Sequence, residues 1–123
     1  VEPEGQPELA GLIQDIDEVF QHATWEEIAA ALPQHPELAE LFAKLTEKAC
    51  ASALVAATEL FEAEANAANI REALRMELEL GKHMLRRPDF AEGVRAVLVD
   101  KTQDAQFQPV GQPEEFRAAI ARA

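Results

Sequence analysis

Three observations predict an all-α chain. Apolar residues recur at three and four residue spacing along most of the 123 residues, no sustained alternating apolar run occurs, and tyrosine is absent while glycine is limited to five. The start and stop signals are also helical: Thr24, Asn69 and Asp89 stand at cap positions, Pro36 and Pro113 open helices, and Pro88 stops one. The length fits one helical domain over 1–123 with a modest core, made thinner by the large alanine share of the 48% apolar residues.

Leu9, Leu12, Ile13, Ile16 and Phe20 predict an amphipathic helix from about Pro7 to His22, with Asp15, Asp17 and Glu18 toward water. Thr24-Trp-Glu-Glu27 has capping-box spacing and opens a short helix to Leu32, closed by Pro33. From Pro36 to about Ala65 there is neither Gly nor Pro, which gives one long helix or two abutting ones. Its apolar stripe is Leu38, Leu41, Phe42, Leu45, then Leu54, Ala57, Leu60 and Phe61, with Cys50 facing the core. Asn69 caps a helix running to Arg87, whose buried stripe is Leu74, Leu78, Gly81 and Leu85. Gly81 costs about 1 kcal/mol against Ala in mid-helix, which predicts a close backbone approach there. Asp89-Phe-Ala-Glu92 repeats the capping spacing, and Phe90, Val94, Val97 and Leu98 form one face of a helix ending near Asp100. Thr102 to Gln112 reads as a polar loop, and a last short helix begins at Pro113.

The net charge of -12 argues against nucleic acid, which calls for a Lys/Arg surface. Residues 1–70 hold 14 acidic groups against Lys44 and Lys48, whereas residues 71–101 hold seven basic groups against six acidic. The second half is therefore the neighbour for a polyanion such as the phosphates of coenzyme A. His22, His35 and His83 lie in three separate segments and Cys50 is the sole cysteine, so no metal site is expected. Glu59, Glu62 and Glu64 read as a solvated acidic face. No nucleophile elbow, phosphate loop or dinucleotide fingerprint occurs. With no long apolar run and no signal-like start, the sequence predicts a protein outside the membrane, in the cytoplasm. The opening Val in place of Met suggests a trimmed chain or a fragment.

The run Asp89-Phe-Ala-Glu-Gly-Val-Arg-Ala-Val-Leu-Val-Asp-Lys101, followed by Phe107-Gln-Pro109, resembles the C-terminal signature of the crotonase (enoyl-CoA hydratase/isomerase) superfamily in its 3-hydroxyisobutyryl-CoA hydrolase form. Arg75-Met-Glu-Leu-Glu-Leu80 looks like the helix before that signature. Ile16-Asp-Glu-Val-Phe20 and Trp25-Glu-Glu-Ile28 look like an earlier helix pair. The chain departs from the pattern at Cys50-Ala-Ser-Ala-Leu54, where these hydrolases usually carry Ser-Pro-Thr-Ser-Leu, and that departure points away from a standard substrate pocket.

The resemblance implies the C-terminal helical part of a crotonase-like protein, a lid and packing domain beside a catalytic half or a neighbouring subunit in an oligomer. The parent would hold an acyl-CoA thioester in an oxyanion hole of backbone amides, with coenzyme A as part of the substrate and no separate cofactor. No catalytic residue of that kind is matched in this chain. Lys101 occupies the position that implies a coenzyme contact, with Arg95 and Phe107 beside it, while Glu92 and Gly93 read as a cap and a packing position. The alternative reading is a free-standing acidic helical module that binds another protein without enzymatic activity.

Overall fold

The computed structural model describes Gly5 and residues 9–123 of the chain, and its described residues form seven α-helices with no strand. Where one domain is expected, the chain divides into two compact units, Val1–Glu47 and Lys48–Ala123.

The first unit comprises a 3-10 turn at Ala10–Leu12, α1 (Ile13–Phe20), α2 (Trp25–Ala31), a second 3-10 turn at Leu32–Gln34, and α3 (Pro36–Thr46). The expected start of the first helix near Pro7 lies outside the described residues. Thr24 Oγ1 accepts from the Glu27 N–H at 3.2 Å, but the Glu27 carboxylate receives the Thr24 hydroxyl at 2.9 Å rather than the backbone N–H. Val19, Ile28, Leu32 and Leu38 form the core, with Ile16, Trp25 and Phe42 packed against them. The buried row of α1 is thus Leu12, Ile16 and Val19, while Leu9, Ile13 and Phe20 stay largely exposed. An eight-residue helix presents too little length to bury the wider stripe that the sequence suggests. Asp15, expected to face water, is half-buried with Oδ1 3.1 Å from His35 Nδ1.

The second unit comprises α4 (Ala51–Ala65), α5 (Ile70–Arg86), α6 (Pro88–Val94), a π-helical turn at Arg95–Val99 and α7 (Pro113–Ile120). The stretch from Pro36 to Ala65 is therefore two helices, broken at 47–50. Helices α4, α5 and α7 pack on one another around Val55, Ala56, Leu80, Phe116, Ala119 and Ile120. On α4 the buried face is Ser52, Val55, Ala56 and Glu59, and Phe61 is 75% exposed, against the expected row through Leu54, Ala57, Leu60 and Phe61. A helix apolar nearly all round gives no clear period, so polar partners elsewhere decide its orientation. Glu59 is buried because both its oxygens accept from Arg117 of α7, at 2.6 and 3.0 Å. The expected solvated acidic face does not include it.

Asn69 caps α5 by accepting the Glu72 N–H at 2.9 Å, and Glu72 returns the favour one residue early, accepting from the Ala68 N–H. The packed side of α5 is Leu80 with the half-buried Met76, His83 and Met84. Leu74, Leu78 and Leu85, expected inside, are 57–58% exposed. A Cβ added at Gly81 would meet nothing within 4 Å, so the predicted close approach is absent among the described residues. No helix is long and apolar enough to cross a membrane among the described residues.

Candidate functional site

The signature segment builds one wall of an open apolar groove of about 420 Å3. Pro88 supplies the first turn of α6, which turns Phe90, Val94 and Val97 toward the groove. Cys50 and Ala53 at the start of α4, Met84 near the end of α5 and Phe107 of the following loop complete it. A second shallow groove, lined by Leu78, Gly81 and Leu85, shares Met84 and Phe90 with the first, so the two form a continuous apolar surface. Phe90, Val97 and Leu98 remain 48–67% exposed.

Beneath the groove lies a part-buried polar spine. Asp89, expected as a helix cap, makes no cap bond; it is the second residue of α6 and only 6% exposed. Its Oδ2 accepts from Arg87 Nη1 at 2.7 Å and from the Cys50 thiol at 3.4 Å, and its Oδ1 accepts from the Gln108 N–H at 2.7 Å. A buried carboxylate needs such partners, and here they tie α4, α6 and the 106–112 loop together. Arg87 Nε also donates to Glu115 Oε1 at 2.8 Å, an oxygen that lies 2.7 Å from His83 Nε2. The Arg87 guanidinium sits 5.5 Å from the Phe116 ring centre. Bonding to Arg87 holds the Glu115 carboxyl below its usual range, and bonding to Glu115 raises Arg87.

Gly111 closes this arrangement. Its N–H donates to Ser52 Oγ at 2.9 Å, and a Cβ there would lie 2.5 Å from Glu115 Oε2 and 2.9 Å from Phe116 Cζ. Cys50 stands at the N-cap of α4 rather than within an apolar helical face, and burial followed by the neighbouring Asp89 pushes its thiol up. A protonated thiol of this kind is a weak nucleophile.

The three residues implied as coenzyme contacts fall in different settings. Arg95 donates to Glu92 at 2.6 and 3.0 Å, to Asp100 at 2.9 Å and to Asp104 at 3.2 Å. Its charge is answered by three carboxylates, which leaves little for a phosphate. Glu92 also accepts the Gln106 N–H at 2.6 Å, and Arg95 first, then that N–H, lowers its carboxyl to about 2. Lys101 is exposed at φ 56°, next to the bonded Asp100, with no ion pair among the described residues. Gln103 follows at φ 57° and donates its N–H to the Ala96 carbonyl, so the loop leaves the π-helical turn through two left-handed residues. Phe107 is half-buried, 3.8 Å from a Cβ placed on Gly93. A Cβ at Gly93 would therefore make only an ordinary contact, so the close packing expected there does not require a glycine, and Glu92 pins a loop instead of capping a helix.

Sequence reasoning missed Asp89, Glu115 and Gly111 as a unit because, apart from Arg87 beside Asp89, their partners lie 19 to 59 residues away. The signal available was a glycine between Pro109 and Pro113, where only a residue without a side chain fits. In the first unit, Asp15, Glu18 and His35 offer ligand atoms within 4.8 Å of one another, although no metal is expected from the sequence. Nδ1 of His35 faces Asp15 at 3.1 Å and Nε2 faces Glu18 at 3.5 Å, so the ring bridges two carboxylates across opposite edges.

A family profile described as enoyl-CoA hydratase/isomerase matches residues 1–122. The mitochondrial 3-hydroxyisobutyryl-CoA hydrolase of Dictyostelium discoideum is 32% identical over 97 residues, which cover 77% of this chain and 26% of that protein. Proteins of the same name from Xenopus tropicalis and Homo sapiens are each 44% identical over 46 residues, 37% of this chain and 12% of theirs. The chain thus spans about a quarter or less of the curated relatives it matches, and their names place them in mitochondria rather than in the expected cytoplasm. No solved structure matches significantly. The profile match across nearly all residues, together with the signature segment that shapes the groove, shows that the chain belongs to the enoyl-CoA hydratase/isomerase family.

Proposed function

We propose that the chain is the C-terminal lid and packing domain of a crotonase-like protein resembling 3-hydroxyisobutyryl-CoA hydrolase, whose acyl-CoA thioester chemistry is performed by a catalytic half outside these residues. The observation that carries this reading is the continuous exposed apolar surface of α5, α6 and the following π-helical turn, running through Leu74, Leu78, Leu85, Phe90, Val97 and Leu98. A contiguous patch of large apolar side chains costs free energy in water and marks a surface meant to be covered. The covering surface is the catalytic half or a neighbouring subunit of an oligomer. The part-buried spine under the groove supports the same role, since it stiffens the wall that would meet the partner.

Lys101 is the residue assigned to a coenzyme A phosphate, as an exposed ammonium on a loop fixed by the Arg95 carboxylate cluster. Phe107 is assigned to the apolar edge of the site. Arg95 acts through the loop, as an anchor. Coenzyme A enters as part of the substrate, and no separate cofactor is assigned. A lone Cys50 thiol held protonated suits a reducing compartment, cytoplasmic or mitochondrial.

The test joins this chain to a crotonase-like catalytic half from the same genome and follows release of free coenzyme A from 3-hydroxyisobutyryl-CoA. Turnover that requires both parts, with Lys101→Ala raising KM several-fold at unchanged kcat, is the expected result. Turnover by the catalytic half that is the same with and without this chain would overturn the reading and favour the free-standing interaction module.

A further inference from the structure

The exposed side of α5 is two parallel rows, not one. Ile70, Leu74, Gly81 and Leu85 are each followed directly by a cation: Arg71, Arg75, Lys82 and Arg86. On a helix of 3.6 residues per turn these positions stack as a basic row alongside the apolar one, over about 22 Å at 1.5 Å per residue. Leu78 is the exception, followed by Glu79, and Glu79 pairs with Lys82 at 2.9 Å. Arg71, Arg75 and Arg86 are exposed and make no ion pair among the described residues. This occurs in a chain of net charge -12, where three of the other four arginines, Arg87, Arg95 and Arg117, do find carboxylates and Arg122 makes no ion pair among the described residues.

Like charges four apart, as at Arg71 and Arg75 or Lys82 and Arg86, repel and disfavour the isolated helix. Apart from the Lys82–Glu79 pair and the place of Arg86 in the last turn, the row makes no contact that supports the helix carrying it. We infer that the surface covering α5 is an apolar groove on the catalytic half whose rim presents a row of carboxylates to Arg71, Arg75 and Arg86. This inference rests on the proposed lid role and adds the chemistry of its partner. Arginine suits the task because its planar guanidinium bonds a carboxylate through two donors at once. Complementary rows also fix register: sliding α5 by one turn leaves apolar contacts almost equivalent but places each cation away from its partner.

The experiment measures binding of the full chain to the same catalytic half, expressed separately, at 50 mM and 500 mM sodium chloride. Wild type should bind more weakly at high salt, and the triple variant Arg71→Gln/Arg75→Gln/Arg86→Gln should lose about tenfold in affinity at low salt together with most of that salt sensitivity. Lys44→Gln, outside the row, should bind as wild type does. The triple variant alone should melt within a few degrees of wild type, because the lost Arg71–Arg75 repulsion is offset by the larger net negative charge and the loss of the last-turn Arg86. Wild type that binds while the triple variant matches it within twofold overturns the carboxylate rim and leaves the lid role standing. A triple variant that melts well below wild type also overturns it, since the arginines then serve the fold. Wild type that fails to bind at either salt overturns the lid role, and the inference falls with it. Free coenzyme A that competes at the row with the catalytic half would assign the arginines to phosphates and overturn a protein rim.

Discussion

The two sides of α5 differ in what answers them. On the inner side Leu80 is buried against α4 and α7, and His83 reaches Glu115 of α7. On the outer side Leu74, Leu78 and Leu85 are more than half exposed, although they are as apolar as anything inside. Helical periodicity reports how apolar a face is; it carries no information about whether the partner belongs to the same chain. The longer apolar stripe of α5 thus lies on the exposed side, and the core uses the shorter one.

Breaking the inner side should have the largest effect. Phe116 is fully buried between α4 and α5, and Phe116→Ala should cost about 3–5 kcal/mol, enough to unfold the second unit of a marginally stable protein. Loss of the cooperative transition in urea, followed by circular dichroism, would check it. Next comes the Glu59–Arg117 pair. Arg117→Ala leaves the Glu59 carboxylate, side chain 7% exposed, with no cation, and should cost about 1–3 kcal/mol. Glu59→Gln with Arg117→Ala should recover part of that loss, because a neutral amide is cheaper to bury than an unpaired charge.

Gly111→Ala tests the spine between the inner side and the groove. Its Cβ would lie 2.5 Å from Glu115 Oε2 and 3.0 Å from Arg87 Nη2, so the carboxylate must move and the His83–Glu115–Arg87 contact must open. A cost of about 1–3 kcal/mol is expected from overpacking, with the Cys50 thiol becoming faster to alkylate as Asp89 and the 106–112 loop loosen. An unchanged alkylation rate would show that the spine does not hold the groove wall.

Acid titration separates the same parts by sign. The Glu115 and Glu92 carboxyls are lowered by Arg87 and Arg95 respectively, so their stabilisation is present above the unfolded value of 4.5 and is lost as pH falls, for Glu92 down to about 2. Glu64 has the opposite sign. Facing Glu77, its carboxyl is raised, so its stabilisation is present below 4.5 and is lost as pH rises through the folded value. Urea midpoints measured from pH 3 to 7 should therefore rise for wild type as Glu115 and Glu92 ionise. Glu64→Gln should raise the midpoint near neutral pH and leave it nearly unchanged at pH 3.

Much of the fold is legible in the sequence where the decisive chemistry is local. Thr24, Asn69, Pro36 and Pro113 each mark a helix start that the structure shows, because caps and first-turn prolines act within three or four residues, whereas Pro88, expected to stop a helix before a cap at Asp89, is itself the first residue of α6. Orientation is less legible. The rotation of α4 depends on Arg117 reaching Glu59 and on Gly111 reaching Ser52, contacts 58 and 59 residues apart. At the candidate site, the segment from Asp89 to Phe107 is recognisable as a signature, yet the burial of Asp89 and the use of Arg95 as a loop anchor emerge only when Gln106 and Gln108 fold back.

The smallest effect on stability is the most telling for the outer side. Leu78 is 58% exposed and belongs to the apolar row that the core does not use. Leu78→Ser in the isolated chain should change the urea midpoint by an amount equivalent to less than about 0.5 kcal/mol, as for surface substitutions in general. The same change removes apolar area from the surface assigned to a partner, so it should reduce self-association of the isolated chain, read as a smaller weight-average mass in analytical ultracentrifugation. A Leu78→Ser chain that unfolded as readily as Phe116→Ala would mean that α5 buries both rows within its own unit, and the distinction between a core face and an interface face would collapse.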